Sequence, residues 1–283
     1  MLSLIIDFHV HVGFVQSFSP RIKGWVWADL CDLLEYMDEV GVDYSVIHST
    51  PCWVDPYSRV ASNEEVLRLS EESDGRLIPF CCVDPRNNRA VERFLELMDM
   101  GFVGLGEFKV PLRVDDPRVI RLLEIADDLG VPLLFHMEDD MYFYDIYALD
   151  NILGRFRRIK FIAHGPGWWK HISGIVNDEP YPSGSIVKEG MVQRILRRYD
   201  NIFADISAIS GLNALSRDPI YARRFLVEFS DRILFGTDFP CLNNDGGQLG
   251  TDRAHLDFLR SLNLPQSVLE NILYLNAKRL LNI

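Results

Sequence analysis

The chain alternates between short, continuously apolar runs and longer stretches in which apolar residues recur every three or four positions. Runs such as Leu4-Ile5-Ile6, Val131-Pro132-Leu133-Leu134-Phe135 and Ile159-Lys160-Phe161-Ile162-Ala163 read as buried strands. Strand-like segments end near His11, Ser49, Val83, Lys109, His136, His164, Ser207 and Asp238, which makes eight. Between them the helical period predicts helices over Ala28–Val40, Asn63–Ser73, Ala90–Met98, Pro117–Leu129, Met191–Tyr199 and Ala222–Phe229. Leu30, Leu33, Leu34 and Met37 mark the inward face of the first, while Gly41 and Gly130 read as C-terminal stops. Strict alternation implies a parallel sheet, and eight units imply closure into a (β/α)8 TIM barrel with residues 1–283 as one domain.

Polar residues interrupt this pattern at particular places. In Asp7-Phe8-His9-Val10-His11, strand alternation puts both imidazoles on one face, one pleat apart. Such a pair begins a divalent-cation site, provided other strands complete the shell. His136 and His164 close two further apolar runs, Glu107 follows Phe102-Val103-Gly104-Leu105-Gly106, and Asp238 follows Ile233-Leu234-Phe235-Gly236-Thr237. A parallel barrel gathers all these strand ends on one face, where such enzymes keep their chemistry. Four of the seven histidines stand at these positions, an arrangement that scattered core histidines would not produce.

Composition narrows the function classes. With 283 residues and 48% hydrophobic content the chain can bury one large core, and no apolar run is long enough to span a bilayer. The five cysteines (Cys31, Cys52, Cys81, Cys82 and Cys241) are odd in number and lack C-x-x-C spacing. Together with the absence of a basic, cleavable N-terminal signal, that predicts reduced thiols and a cytoplasmic protein. A net charge of −12 argues against nucleic acid or an anionic membrane as partner and favours a small-molecule substrate. The basic runs Arg155-Phe156-Arg157-Arg158 and Arg194 to Arg198 fall in stretches read as helical, where cations suit the negative end of the dipole.

Three connections stand out by length, after the first, sixth and eighth strands. Val12–Trp27 carries Phe14, Phe18, Trp25 and Trp27; Gly165–Glu189 carries Trp168, Trp169, His171 and Tyr181; Cys241–Gly250 is polar. Aromatic content argues against disorder and leaves two readings, walls of a substrate pocket or contacts with the rim or a second copy in a homodimer. Trp25, Trp168, His171, Lys109 and Arg113 are the candidate substrate contacts.

The H-x-H of the first strand, Phe135-His136, Ala163-His164-Gly165 and Phe235-Gly236-Thr237-Asp238-Phe239-Pro240 together resemble the amidohydrolase superfamily, in its amidohydrolase-2 branch. The resemblance runs through to Asn276-Ala277-Lys278-Arg279-Leu280-Leu281. It implies that His9, His11 and Asp238 hold the more buried metal ion. His136 and His164 would face a second ion or, in mononuclear members, divide into one ligand and one catalytic residue. In binuclear members a fourth-strand carboxylate bridges the ions; Glu107 occupies that place and is anionic as it stands. Lys109, on the same pleat face, would take the role only after carboxylation.

Imidazole and carboxylate ligands suit zinc, with manganese or cobalt as alternatives. A bound ion lowers the pKa of water to about 7. The expected chemistry is hydrolysis of a C–O, C–N or P–O bond, with Asp238 as proton carrier and the metal, or His164 if it is not a ligand, polarising the bond under attack. Competing readings are a mononuclear decarboxylase of an aromatic or enoic acid, a TatD-like nuclease, and a non-catalytic metal-binding protein. A substrate-facing arginine such as Arg113 would favour the first, Glu107 opposes it, and the acidity of the chain opposes the second.

Overall fold

The computed structural model describes residues 4–18, 23–50 and 59–283; Cys52 lies outside them. Eight strands form the central sheet: Ile6–Val10, Tyr44–His48, Leu77–Cys81, Gly104–Phe108, Pro132–His136, Lys160–His164, Ile202–Asp205 and Ile233–Leu234. Each lies beside its successor in the chain, and every pairing is parallel. Helices fill the connections, giving the TIM-barrel architecture that the alternation predicts.

The eighth strand is two residues long, so little regular ladder remains to join it to the first. The residues beyond it complete the seam. Phe8 N–H donates to Phe235 O (2.9 Å), Asp238 N–H to His9 O (2.8 Å) and His11 N–H to Phe239 O (2.8 Å). The wholly buried carboxylate of Asp7 clamps the same seam. It accepts from the Thr237 hydroxyl (2.6 Å), Thr237 N–H (3.1 Å), His9 N–H (3.1 Å) and the hydroxyl of Tyr36 (2.8 Å). These bonds bring His9 and His11 beside Asp238.

Two apolar layers support the barrel. Ile6, Phe8, Val46, Phe80, Leu134, Ile162 and Leu234 form one cluster with the C-terminal residues Ala277 and Leu280. A larger layer, including Val10, Ile47, Leu105, Phe135, Phe161 and Phe235, packs against the helices. The pairing of the first two strands slips between Asp7 and Val10, which is where strict alternation fails.

The predicted helices are present with adjusted ends. The first runs from Leu30 to Val40, capped by reciprocal bonds between Asp29 and Asp32, and stops at Gly41 (φ 82°). It begins later than the periodicity suggests because Lys23–Ala28 is a strand. Pro117–Leu129 matches its prediction and ends at Gly130 (φ 69°). The helix expected from Ala222 starts at Pro219, where the Asp218 side chain caps it. Ile146–Leu153, Ala208–Ser216 and Ala254–Ser261 are helices that the pattern did not reveal. Arg155–Arg158 lies outside a helix, in the turn after Ile146–Leu153; the Arg158 and Ile159 N–H groups bond Asp127 instead.

The long connection after the first strand is regular structure. Gly13–Phe18 and Lys23–Ala28 pair antiparallel, with Arg59–Val60 on the other edge. Gly13 has φ 108°, and a Cβ there would sit 2.4 Å from Arg59 O, so the crossing needs glycine. Val15 and Val26 pack toward Cys241, Leu249 and Ile209.

Thr237→Val removes a donor to a buried carboxylate and the acceptor of the Phe239 N–H (3.1 Å). It should destabilise the fold by about 1–3 kcal/mol, read as a lower urea midpoint at unchanged m-value. A midpoint indistinguishable from wild type would show that the Asp7 clamp contributes nothing to closure.

Candidate metal centre

The strand ends on one face of the barrel bring six of the sequence-predicted side chains together. His9, His11 and Asp238 form one group, and Glu107, His136 and His164 another, with ligand atoms in each within 4.8 Å of one another. In the first, His9 Nε2 and His11 Nε2 are 3.0 Å apart. Asp238 Oδ1 lies 3.6 Å from the former and 3.5 Å from the latter.

Both imidazoles have their other nitrogen committed. His9 Nδ1 lies 2.8 Å from Asp205 Oδ2, and His11 Nδ1 lies 3.1 Å from the carbonyl of His48. Each acceptor requires a proton on that Nδ1, which leaves a lone pair on Nε2. Burial pushes both imidazoles down to about 4, His9 further opposed by His164, so both are neutral near pH 7. Two nitrogen lone pairs and a carboxylate oxygen converge with no donor between them. A divalent cation fits that convergence, and each ligand histidine has the hydrogen-bonded partner that orients it.

Glu107 joins the groups. Its Oε2 is 3.6 Å from His11 Nε2, while Oε1 is 2.8 Å from His136 Nδ1 and 3.8 Å from His164 Nε2. Burial alone would raise its pKa, but the His136 hydrogen bond and surrounding positive charge hold it well below the usual carboxylate range. His136 shows the converse: burial and the Lys109 charge oppose protonation, yet bonds to Glu107 and to Glu138 (3.4 Å) carry it up to about 9. Asp238 is pushed well above its ordinary range by burial and by the charge of Glu107, a cost that a cation would offset.

The predicted substrate contacts are dispersed. Lys109 is buried with Nζ 5.1 Å above the Tyr142 ring, close enough for its charge to act on Glu107, His136 and Asp238. Tyr181 is half-buried and packs against the cluster that holds Cys241. Trp168 is wholly buried among core residues, and His171 is buried edge-on to Tyr147. Trp25 and Trp27 are 52% and 55% exposed and meet Phe14 on the outer face of the hairpin. Arg113 pairs with Asp145 (2.9 Å) and Asp115 (3.4 Å).

Three residues around the site escaped the sequence reading. His48 ends the second strand, with Nε2 3.0 Å from Phe8 O and its ring 4.9 Å from that of His9. Asp205 ends the seventh strand, Ser207 follows it, and both contact His9 and His164. Asp205 carries the signal that marks the others, a polar residue closing an apolar run, but the sequence pattern places the strand end at Ser207.

The Amidohydro_2 family model, described as amidohydrolase, matches residues 6–283. Solved structures of the same fold include a probable 2-pyrone-4,6-dicarboxylic acid hydrolase from Acinetobacter baumannii (15% identity, 99% of each chain, TM-score 0.67). A 5-carboxyvanillate decarboxylase from Sphingomonas paucimobilis is similar at 15% identity over 99% of each chain, TM-score 0.60. An amidohydrolase from Burkholderia multivorans with bound zinc is similar at 13% identity, over 99% of this chain and 100% of that one, TM-score 0.60. No protein of curated function matches the sequence.

The His136 pair predicts a pH dependence for metal-free protein. Its folded pKa of about 9 exceeds the 6.5 of an unperturbed imidazole. The folded state therefore binds the extra proton, and the stability so gained is complete below about pH 6.5 and lost as pH rises through about 9. Urea midpoints of chelator-treated protein should fall across that window, and His136→Gln should flatten the fall. A midpoint that rises from pH 6.5 to 9 would contradict the pairing.

Proposed function

Since the chain belongs to the Amidohydro_2 family of amidohydrolases, we propose that it is a metal-dependent hydrolase acting on a C–O, C–N or P–O bond of a small molecule. The observation that carries this reading is the placement of Glu107, with one oxygen toward His11 and the other toward His136 and His164. A shared anion of that kind offsets repulsion between two adjacent cations. His9, His11 and Asp238 would hold the first ion; Glu107, His136 and His164 would hold the second. Nitrogen and oxygen donors suit zinc, with manganese or cobalt as alternatives. When bound, the ions supply Lewis acidity toward the scissile bond and toward a water molecule.

The protein's own groups divide the remaining work. Asp238 is the most accessible of the ligand carboxylates, with 18% of its side chain exposed against 7% for Glu107. That access supports Asp238 as the group that would take a proton from the attacking water and return it to the departing atom. His164, with Nε2 3.8 Å from Glu107 Oε1, would serve as a ligand and not as the group that polarises the bond under attack. Lys109 supplies a buried cation that would orient an anionic substrate group, with Tyr142 stacked beneath it. Burial of His9, His11, Glu107 and His164 keeps bulk water from competing for these contacts.

One observation favours the mononuclear decarboxylase as second reading. The Glu107–His136 pair is charge-balanced without a second cation. Against it, Arg113 spends its guanidinium on Asp115 and Asp145.

Metal analysis after loading at saturating zinc should give two ions per chain for the wild type and one for Glu107→Gln. A panel of esters, lactones, amides and aromatic acids should reveal hydrolysis without release of carbon dioxide. One ion per wild-type chain, with carbon dioxide released from an aromatic acid, would replace the hydrolase by the decarboxylase.

Asp238→Asn keeps the shape of the side chain but loses its basicity. Turnover on whichever substrate responds should fall by about 10²- to 10⁴-fold. A loss of only a few-fold would move the proton carrier elsewhere, to His164 first.

A further inference from the structure

Behind the ligand shell, one carboxylate and one hydroxyl touch imidazoles from both halves of the centre. Asp205 ends the seventh strand with no exposed surface, and Ser207 follows it, equally buried. Asp205 Oδ2 is 2.8 Å from His9 Nδ1, 2.5 Å from Ser207 Oγ and 3.3 Å from His164 Nδ1. Ser207 Oγ is 3.0 Å from His9 Nδ1 and 2.9 Å from His164 Nδ1. The other carboxylate oxygen accepts the Ser207 N–H (3.0 Å), and the Trp169 indole N–H donates to Asp205 O (2.9 Å).

Proton counting leaves one arrangement. Ser207 has a single hydroxyl proton, and its 2.5 Å contact with a carboxylate oxygen is tolerable only with that proton between the two oxygens. The hydroxyl therefore cannot also donate to an imidazole. Asp205 already accepts the Ser207 hydroxyl and the Ser207 N–H, so its carboxylate meets the imidazoles as an acceptor. Neither Nδ1 then has a donor facing it, and both must carry a proton. His164 Nδ1 donates to Ser207 Oγ, whose own O–H donates to Asp205; His9 Nδ1 donates to Asp205 directly.

We propose that Asp205 and Ser207 form one hydrogen-bond hub that sets the Nδ1–H tautomer of both His9 and His164, presenting their Nε2 lone pairs to the two halves of the centre together. Asp205 and Ser207 are positioning residues, since they act through the two imidazoles. The proposal deepens the metal-centre reading, because the tautomer matters to function only where Nε2 receives a cation. A proton on either Nε2 would point into the site and block it. The carboxylate needs glycine beside it: a Cβ on Gly236 would lie 2.4 Å from Asp205 Oδ1 and push it out of the hub.

The test is long-range ¹H–¹⁵N spectroscopy of metal-free protein labelled at histidine, with His9 and His164 assigned from single His→Gln variants. In the wild type both residues should show a protonated Nδ1 and a bare Nε2. Ser207→Ala should disturb His164 while sparing His9, which keeps its 2.8 Å bond to Asp205. Ser207→Thr should restore the His164 pattern. Asp205→Asn, whose amide can present a donor to Nδ1, should disturb both residues. It should also weaken zinc binding about 10- to 100-fold in competition with a chromophoric chelator. A bare Nδ1 on either wild-type residue, or an unchanged His164 spectrum in Ser207→Ala, would overturn the hub; both measurements survive if Asp205→Asn fails to fold. The predicted spectra from a protein that binds no metal would leave the hub standing and remove the metal-dependent hydrolase. Metal binding with the opposite tautomers would do the reverse.

Discussion

Two neutral imidazole nitrogens facing each other at 3.0 Å across a buried floor set the terms for this site. Each is a lone pair, since Asp205 and the His48 carbonyl hold the protons at the far nitrogens. The contact is unfavourable as it stands and becomes favourable with a cation between the nitrogens. Much of the surrounding architecture holds these groups in place against that repulsion. The Asp7 clamp ties Thr237, and so Asp238, to the strand that carries His9 and His11. The Asp205 hub fixes His9 from the opposite side and carries the constraint to His164.

The same economy of charge explains the second half of the centre. Glu107 and His136 neutralise each other in a buried environment where either alone would be costly. Exchange of the His136 proton for a divalent ion would leave Glu107 with a partner throughout. A divalent ion would therefore find the half with two bare lone pairs the more favourable, since the other half would first have to give up a proton.

The barrel was legible because its strands are buried on both faces and its helices are not, which writes two distinct periods into the chain. Histidine and carboxylate at strand ends were legible for the same reason: they break an apolar run. Three kinds of feature were not. The hairpin of Gly13–Phe18 and Lys23–Ala28 has aromatic residues on an exposed face, so its alternation reads as a loop rich in tryptophan. Asp205 and Ser207 depend on where one strand stops, and a boundary error of two residues hid a carboxylate that the strand-end rule would have selected. Trp168 was a natural pocket candidate by composition, yet it lies in the core, because a short helix at Pro166–Trp169 turns it inward. No local pattern in the sequence encodes that turn.

Anomalous scattering on either side of the zinc edge, from crystals grown with zinc, tests the central claim most directly. The account predicts a zinc-specific peak about 2.0–2.2 Å from His9 Nε2, His11 Nε2 and Asp238 Oδ1, with the far nitrogens still bonded to Asp205 and His48. Absence of a peak there at saturating zinc, with the two imidazoles still facing each other at 3.0 Å, would contradict it.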